Sequence, residues 1–293
     1  MTATKNLGGT FTFLGTSTTV HRLGYGAMQL AGPNVFGPPK DMKAALGVLR
    51  AAVEAGIDHI DTSDVYGPHI TNRIIKDALH PYPKNLTIAT KVGSRRGEDG
   101  SWIPDRSPAS IRSSVEDNLR NLELESLHLV NLRVGGLFAP AEGSIAEPLM
   151  ALESMQREGL IRHIGLSNVS PRQYEEGRKI ANIVCVQNHY NVAHREDDTF
   201  IDQLEAAGVA YVPFFPLGGF SPLQSSVLDS TATSLERTPL AVALAWLLQR
   251  ASNILLIPGT SSAEHLRENI EAASLVLPEN TVAALDAIGK TTN

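Results

Sequence analysis

The sequence has one cysteine, only 5% aromatic residues and no long apolar segment. The single Cys185 excludes an internal disulfide, and its place inside an apolar run favours packing as a small hydrophobic side chain. No apolar run reaches the roughly 20 residues that cross a bilayer, and the first ten residues lack the apolar core of a secretory signal. We therefore expect a cytoplasmic protein without membrane spans.

Basic segments are also missing. Aspartate and glutamate (31) outnumber lysine and arginine (25), so the formal net charge is -6. Nucleic acids and anionic membranes are bound through basic patches, so neither is an expected partner. With 293 residues, of which 42% are hydrophobic, the chain can bury one large core. We predict a single domain over residues 1–293, a small-molecule partner, and a monomer or weak homo-oligomer.

Short apolar runs alternate with amphipathic stretches, a pattern typical of parallel α/β folds. Eight runs fit eight parallel strands, which predicts a (β/α)8 TIM barrel. The competing architecture is a doubly wound Rossmann sheet, but no G-x-G-x-x-G follows the first run. Alternation around a Gly-Thr-Ser turn within 11–20 predicts a short N-terminal β-hairpin that plugs one barrel end. The eight runs are 23–28, 57–60, 86–89, 127–132, 161–166, 183–186, 209–212 and 254–257.

Three serine-proline or threonine-proline pairs, at 107–108, 170–171 and 238–239, place a capping hydroxyl before a proline suited to a first helical turn. Segments 93–107 and 213–234 are interpreted as long loops, which often carry function. The first helix is expected to face the barrel with Met42, Ala45, Leu46, Leu49 and Val53.

Polar residues close the predicted strands, and in such barrels the carboxyl ends of the strands form the active site. Asp61 and Lys91 end two neighbouring strands, and Tyr66 follows Asp61 closely. A lysine held charged by a carboxylate favours the phenolate form of a nearby tyrosine, which makes the phenol a stronger acid. Tyr66 could then protonate a carbonyl oxygen. The side chains offer no hydride, so a reduced cofactor is required.

The sequence resembles the aldo-keto reductase superfamily over nearly its whole length. That family consists of (β/α)8 barrels that reduce aldehydes and ketones with a nicotinamide cofactor. The residues that carry the resemblance are Gly24-Tyr25-Gly26-Ala27-Met28, the Asp61, Tyr66 and Gly67 block, Thr90-Lys91, Ile164-Gly165-Leu166-Ser167-Asn168, Gln187-Asn188 with Tyr190-Asn191, Pro216-Leu217-Gly218, Ile257-Pro258-Gly259-Thr260 and Glu268-Asn269.

The resemblance implies that Tyr66 is the general acid, that Lys91 tunes it and that Asp61 holds Lys91. It also implies that the nicotinamide carboxamide is hydrogen-bonded by Ser167, Asn168 and Gln187, and that Phe214 stacks on the nicotinamide ring. The remaining cofactor contacts implied are Gly26, Met28, Asp61, Pro216, Leu217, Gly218, Gly259, Thr260, Ser261, Ser262, His265, Glu268 and Asn269.

Two positions depart from the family pattern. Arg133 occupies the place of a usual catalytic histidine; a guanidinium can donate to a developing oxyanion or anchor an anionic substrate, but it cannot relay a proton. Alternatively, Arg133 only pairs with Asp61. Ser261 and His265 stand where many relatives carry Lys or Arg. Hydroxyls and helix N-terminal amides still suit a 2′-phosphate, so we expect NADPH rather than NADH.

The substrate pocket is expected to be open, with Phe36, Tyr66, Trp102 and Arg133 in its walls and Trp102 on a mobile lid. The run Tyr66–Gly67–Pro68–His69 and the strand ending at Arg133 are similar to bacterial family members proposed to convert pyridoxal to pyridoxine. Three alternatives remain: a broad-specificity aldehyde reductase, a barrel aldolase or isomerase that uses Lys91 as a Schiff-base nucleophile, and a nicotinamide-binding sensor or partner barrel with vestigial activity. No metal site is predicted.

Overall fold

Strands and helices alternate along the chain in the computed structural model, which describes residues 6–136, 138–219 and 224–290. The strands are β1 (Thr10–Thr12), β2 (Thr19–His21), β3 (Tyr25–Gly26), β4 (His59–Asp61), β5 (Thr87–Val92), β6 (Ser94–Arg96), β7 (Trp102–Pro104), β8 (Leu127–Arg133), β9 (Ile161–Ser167), β10 (Ile183–Gln187) and β11 (Ala210–Tyr211). The α-helices are α1 (Met42–Glu54), α2 (Ile70–Leu79), α3 (Pro108–Leu122), α4 (Ala146–Arg157), α5 (Pro171–Gly177), α6 (Asp198–Ala206), α7 (Ser226–Ser234), α8 (Pro239–Arg250), α9 (Ala263–Ala272) and α10 (Glu279–Asp286).

One parallel sheet joins the strands in the order β11-β10-β9-β8-β5-β4-β3. The last predicted strand contributes isolated parallel bridges instead of a continuous ladder. These bridges pair Tyr211 with Ile254, Leu23 with Leu256 and Gly26 with Gly259. The amide of Gly24 also donates to the carbonyl of Leu256 at 2.8 Å. Residues 254–259 therefore lie between β11 and β3 and close the sheet into a barrel, which confirms the predicted fold.

The three predicted helix starts are confirmed by their capping hydrogen bonds. The hydroxyls of Ser107, Ser170 and Thr238 cap α3, α5 and α8, and each accepts a backbone N–H three residues later at 3.2 Å. Each cap satisfies a donor that the helix itself leaves unpaired, and the proline that follows lacks such a donor.

Of the five residues predicted to face the core in α1, Ala45 and Leu49 are buried and Leu46 and Val53 pack partly buried against the core, whereas Met42 does not. Met42 is 43% exposed, because the helix contacts the core only after its exposed first turn. The side chains that α1 buries are Ala45, Val48, Leu49 and Ala52.

The hairpin of β1 and β2 covers the amino-terminal end of the barrel. Phe13, in its turn, and Val20 are buried in a cluster with interior side chains that include Leu129 and Cys185. Burial raises the pKa of the Cys185 thiol to about 12, so this cysteine packs as a small hydrophobic group. Within the described residues, no helix is both long and apolar enough to cross a membrane.

The two segments read as long loops contain regular structure. Within 93–107, β6 and β7 form an antiparallel hairpin in which Arg96 faces Trp102. The interpretation of 213–234 as a loop was wrong for 226–234, which form α7. The Ser225 hydroxyl caps this helix by accepting from Leu228 N at 3.2 Å, and Leu228 and Ala232 are buried against the core.

Candidate active site

A cavity of about 780 Å³ lies at the carboxyl ends of the barrel strands. Its volume falls within the usual range for small-molecule sites. Asp61, Tyr66, Lys91 and Arg133, the four residues assigned to catalysis from the sequence, all line it. The expected cofactor residues that also line it are Gly26, Met28, Gln187, Phe214, Pro216, Leu217 and Gly259.

Asp61 and Lys91 form a buried ion pair in the wall of the cavity. Asp61 ends β4 and is registered with Ala89 of β5, so Lys91 lies two residues further along and points to the same face. Lys91 Nζ donates to Asp61 Oδ1 at 2.5 Å and to the carbonyl of Thr62 at 3.0 Å. Burial alone would lower the pKa of Lys91, but the Asp61 carboxylate and Tyr66 outweigh it and raise that pKa. Lys91 is therefore held as an ammonium.

Tyr66 lies on the tight turn that follows β4. Its amide donates to the carbonyl of Ser63 at 3.0 Å, and Gly67 continues the turn at φ +83°, a conformation that favours glycine. Lys91 Nζ lies 5.3 Å from the centroid of the Tyr66 ring. The turn thus sets a buried phenol, which lines the cavity, beside a buried ammonium.

This turn is stabilised by a cluster of hydrogen-bonded polar residues behind it, namely Asp64, His69, Asn72 and Asn121. The backbone N–H of His69 donates to the Asp64 carbonyl at 2.7 Å, and His69 Nδ1 lies 2.5 Å from Asp64 Oδ2. The amides of Asn72 and Asn121 donate to Asp64 Oδ1 at 3.0 and 2.9 Å. The hydrogen bond to Asp64 raises the pKa of His69. These contacts close the loop on either side of Tyr66.

Arg133 ends β8 and projects towards Tyr66 and Asp61. Its Nη1 donates to Ser167 Oγ at 3.4 Å, and its Nη2 donates to the carbonyl of Gly136. The guanidinium carbon lies 5.3 Å from the centroid of the Phe214 ring. Burial lowers the pKa of Arg133, and the nearby Asp61 carboxylate opposes that shift. The Arg133 guanidinium therefore lies in the cavity wall, where it could bind a developing oxyanion or an anionic group of the substrate, as the sequence predicts.

The predicted carboxamide-binding residues form a chain with the catalytic residues. Ser167 Oγ donates to Gln187 Oε1 at 3.4 Å, and Gln187 Nε2 donates to Asp61 Oδ2 at 2.9 Å. Asn168 lies behind the wall, where its Nδ2 donates to the carbonyl of Gly136 at 2.7 Å. Asn168 Oδ1 is buried and has no hydrogen-bond partner among the described residues.

The segment expected to bind the adenosine phosphate lies at the start of α9, outside the residues that line the cavity. Ser262 caps the helix by accepting from Glu264 N at 3.2 Å and from His265 N at 3.4 Å. Ser261 and His265 are exposed, whereas Thr260 is buried. The expected residues Gly218, Glu268 and Asn269 also lie outside the cavity lining.

The predicted substrate wall is brought together only in part. Trp102 lines the cavity with its ring edge-on to Tyr66, at a centroid distance of 6.3 Å. Phe36 lies outside the lining and packs on the guanidinium of Arg96, with the guanidinium carbon 5.3 Å from the ring centroid.

Sequence reasoning missed Phe215, which lines the cavity, although the Phe-Phe pair at 214–215 signalled it. The other lining residues not predicted include Ser94 and Leu240.

Comparisons with known proteins agree with this geometry. The Aldo/keto reductase family model matches residues 22–290. Pyridoxine 4-dehydrogenase of Escherichia coli (strain K12) is 62% identical over 283 residues, covering 96% of this chain and 98% of that protein. The crystal structure of a thermostable aldo-keto reductase in complex with the inhibitor epalrestat is 27% identical, with a TM-score of 0.80, covering 96% of this chain and 99% of that one. A holo aldo-keto reductase from Bacillus halodurans is 25% identical, with a TM-score of 0.78, covering 96% of each chain.

Proposed function

The chain belongs to the aldo/keto reductase family, and we propose that it reduces pyridoxal to pyridoxine with a nicotinamide cofactor, NADPH in preference to NADH. It is an oxidoreductase that acts on carbonyl and alcohol groups. The observation that carries the proposal is the buried Asp61–Lys91 pair beside Tyr66, in a cavity that also presents Arg133.

The residues around the cavity fit a nicotinamide cofactor. A buried carbonyl oxygen without a donor is costly, and an amide group bound beside Gly136 would supply a donor to Asn168 Oδ1. Gln187 and Phe214 line the cavity, so Gln187 would hold the carboxamide and Phe214 would offer an aromatic surface to the ring. Ser167, which is hydrogen-bonded to Gln187, and Asn168, which lies behind Gly136, would complete the carboxamide site. The cofactor, when bound, supplies the hydride for the carbonyl carbon.

The chain's own contribution is the proton and the stabilisation of charge. As negative charge develops on the carbonyl oxygen, Tyr66 would transfer its phenolic proton to that oxygen and complete the alcohol. The Lys91 ammonium, kept protonated by Asp61, stabilises the phenolate that remains. Arg133 adds a fixed positive charge on the same side of the cavity. The protonated state of Lys91 argues against a Schiff-base mechanism, which needs a neutral amine.

Pyridoxal matches the chemistry of the cavity. It is a flat aromatic aldehyde with a phenolate oxygen, so it offers an anionic group to Arg133 and a ring face to Trp102. The 62% identity to a pyridoxine 4-dehydrogenase supports the same substrate pair.

The preference for NADPH rests on the start of α9. The helix dipole at a helix N-terminus favours a phosphate, and the Ser261 hydroxyl and His265 imidazole are exposed there. A 2′-phosphate is the group that distinguishes NADPH from NADH.

The proposal is tested by oxidation of NADPH and NADH by the purified protein, followed by absorbance, with pyridoxal and with simple aldehydes. We expect pyridoxal-dependent oxidation that is faster with NADPH. Equal turnover of all aldehydes would instead indicate a broad aldehyde reductase. Tight cofactor binding without turnover of any carbonyl would indicate a nicotinamide sensor.

A further inference from the structure

Arg96 lies directly behind Trp102 at the mouth of the cavity. The two are cross-strand partners in the β6–β7 hairpin, so their side chains share one face of it. The guanidinium carbon of Arg96 lies 4.1 Å from the centroid of the indole ring. Trp102 lines the cavity, whereas Arg96 stands outside its lining. Any influence of Arg96 on a substrate must therefore act through the groups that it contacts, of which Trp102 lines the cavity.

The Arg96 guanidinium joins the hairpin to the loop after β3. Its Nε and Nη2 both donate to the carbonyl of Gly100 at the hairpin tip, at 3.1 and 2.7 Å. Its Nη1 donates to the carbonyl of Val35 at 2.9 Å, and its planar group lies 5.3 Å from the centroid of the Phe36 ring. Because Trp102 also stacks on the guanidinium, the Arg96 side chain contacts three parts of the cavity mouth: the hairpin tip at Gly100, the loop at Val35 and Phe36, and Trp102.

The carbonyl of Val35 connects this arrangement to the catalytic turn. Besides the bond from Arg96, it accepts from the backbone N–H of Gly67 at 3.2 Å, and Gly67 follows Tyr66 directly. Val35 has φ +57°, which is unusual for a β-branched residue and is retained only where surrounding contacts enforce it. The Val35 carbonyl thus links Arg96, on which Trp102 stacks, to Gly67, the residue that follows Tyr66.

From these contacts we propose that Arg96 is a positioning residue for substrate specificity, which holds the Trp102 indole against Tyr66 so that the cavity mouth selects flat aromatic aldehydes. The two rings meet edge to face at 78°, with centroids 6.3 Å apart. A carbonyl that receives a proton from Tyr66 must lie beside the phenol, so a ring attached to that carbonyl lies against the indole. An aliphatic aldehyde has no ring to place there. The inference rests on the proposed reaction, but not on pyridoxal being the substrate.

Two substitutions remove different parts of this arrangement. Arg96→Met keeps an unbranched apolar stem but loses the planar hydrogen-bonding group. Arg96→Lys keeps the charge but cannot make the paired bonds to Gly100 or stack as a plane. The matched control is Arg95→Met, because Arg95 points to the opposite face of the same strand, is 59% exposed and pairs with Asp105 at 3.5 Å.

The activity test compares kcat and KM for pyridoxal, benzaldehyde and propanal. For both Arg96 variants we expect kcat/KM on the aromatic aldehydes to fall about tenfold, equivalent to about 1.4 kcal/mol, mainly through KM. Propanal should change by less than about twofold, and Arg95→Met should leave all three substrates within that limit. If the wild type reduces benzaldehyde but not pyridoxal, the proposed substrate fails while the role of Arg96 is still tested.

Acrylamide quenching of tryptophan fluorescence gives a readout independent of activity. Trp102 is 42% exposed and Trp246 is 1% exposed, so quenching reports mainly on Trp102. Arg96→Met should increase the quenching and Arg95→Met should not. An unchanged ratio of aromatic to aliphatic kcat/KM in both Arg96 variants, or an equal loss on all substrates, would overturn the proposal.

Discussion

Gln187 and Asp61 are joined by a hydrogen bond across the mouth of the barrel, from Gln187 Nε2 to Asp61 Oδ2 at 2.9 Å. The other carboxylate oxygen, Oδ1, accepts from Lys91 at 2.5 Å. Gln187 is a predicted ligand of the cofactor amide, and Asp61 holds the lysine beside the acid. One carboxylate therefore links the predicted cofactor site to the proton-transfer site.

Replacing Gln187 by methionine should affect both sites. The variant keeps the side-chain volume but removes the donor to Asp61 Oδ2, and a buried carboxylate that loses a donor costs about 1–3 kcal/mol. We expect a lower kcat together with weaker cofactor binding, measured by steady-state kinetics and by calorimetric titration. Gln203→Met, at an exposed position of α6, is the control. Weaker cofactor binding with an unchanged kcat would show that the bond does not couple the two sites.

Tyr66→Phe should remove the proton donor and leave the cavity otherwise intact. Loss of a positioned general acid typically lowers the rate by about 10² to 10⁴. We expect that loss in kcat, with the cofactor dissociation constant nearly unchanged. Tyr82→Phe is the control, because the Tyr82 hydroxyl donates to the carbonyl of Leu122, away from the site. Full activity of Tyr66→Phe would refute the assignment of the acid.

Arg133→His should separate simple aldehydes from pyridoxal. An imidazole can still donate to the carbonyl oxygen, so turnover of propanal should be preserved or raised. A neutral imidazole offers no permanent charge to the phenolate of pyridoxal, and a hydrogen bond to a charged group contributes about 1.5–3 kcal/mol. The pyridoxal KM should therefore rise at least about tenfold at pH 8. Identical changes on both substrates would show that Arg133 does not bind the phenolate of pyridoxal.

The pH dependence of stability should show the contribution of His128. Its Nδ1 accepts from the backbone N–H of Ile88 at 3.0 Å, which requires a neutral ring, and burial lowers its pKa to about 4. The unfolded chain has a histidine pKa of about 6.5, so it binds more protons in this window and the free energy of unfolding falls as the pH decreases from about 6.5 to 4.

Between pH 7 and pH 5 this one histidine should account for a loss of roughly 2 kcal/mol. Urea denaturation at the two pH values should show a correspondingly smaller loss for His128→Gln, whereas His265→Gln, at an exposed position, should behave as the wild type. The same pH dependence in His128→Gln and the wild type would contradict the assigned cause.

The barrel could be predicted because its signals are local. Each buried strand is a short apolar run, and each predicted helix start is a hydroxyl next to a proline, so strand and helix positions can be read from neighbouring residues. Asp61, Lys91 and Arg133 could be assigned to one rim for the same reason, since each ends or nearly ends a run. The short helix α7 was missed, because a serine cap and two buried apolar residues are a weak signal.

The residue types at the carboxyl ends of the strands, and therefore the candidate chemistry, follow from the order of residues along the chain. Pairings between distant segments do not. Gln187 meets Asp61 and Arg96 meets Val35 only because barrel closure brings strands and loops together over long sequence separations. A hydrogen bond forms only when the donor–acceptor distance is correct to within a few tenths of an ångström. Local sequence patterns do not encode distances with that precision. The partners of Asp61, Arg133 and Trp102 were accordingly decided by the tertiary fold.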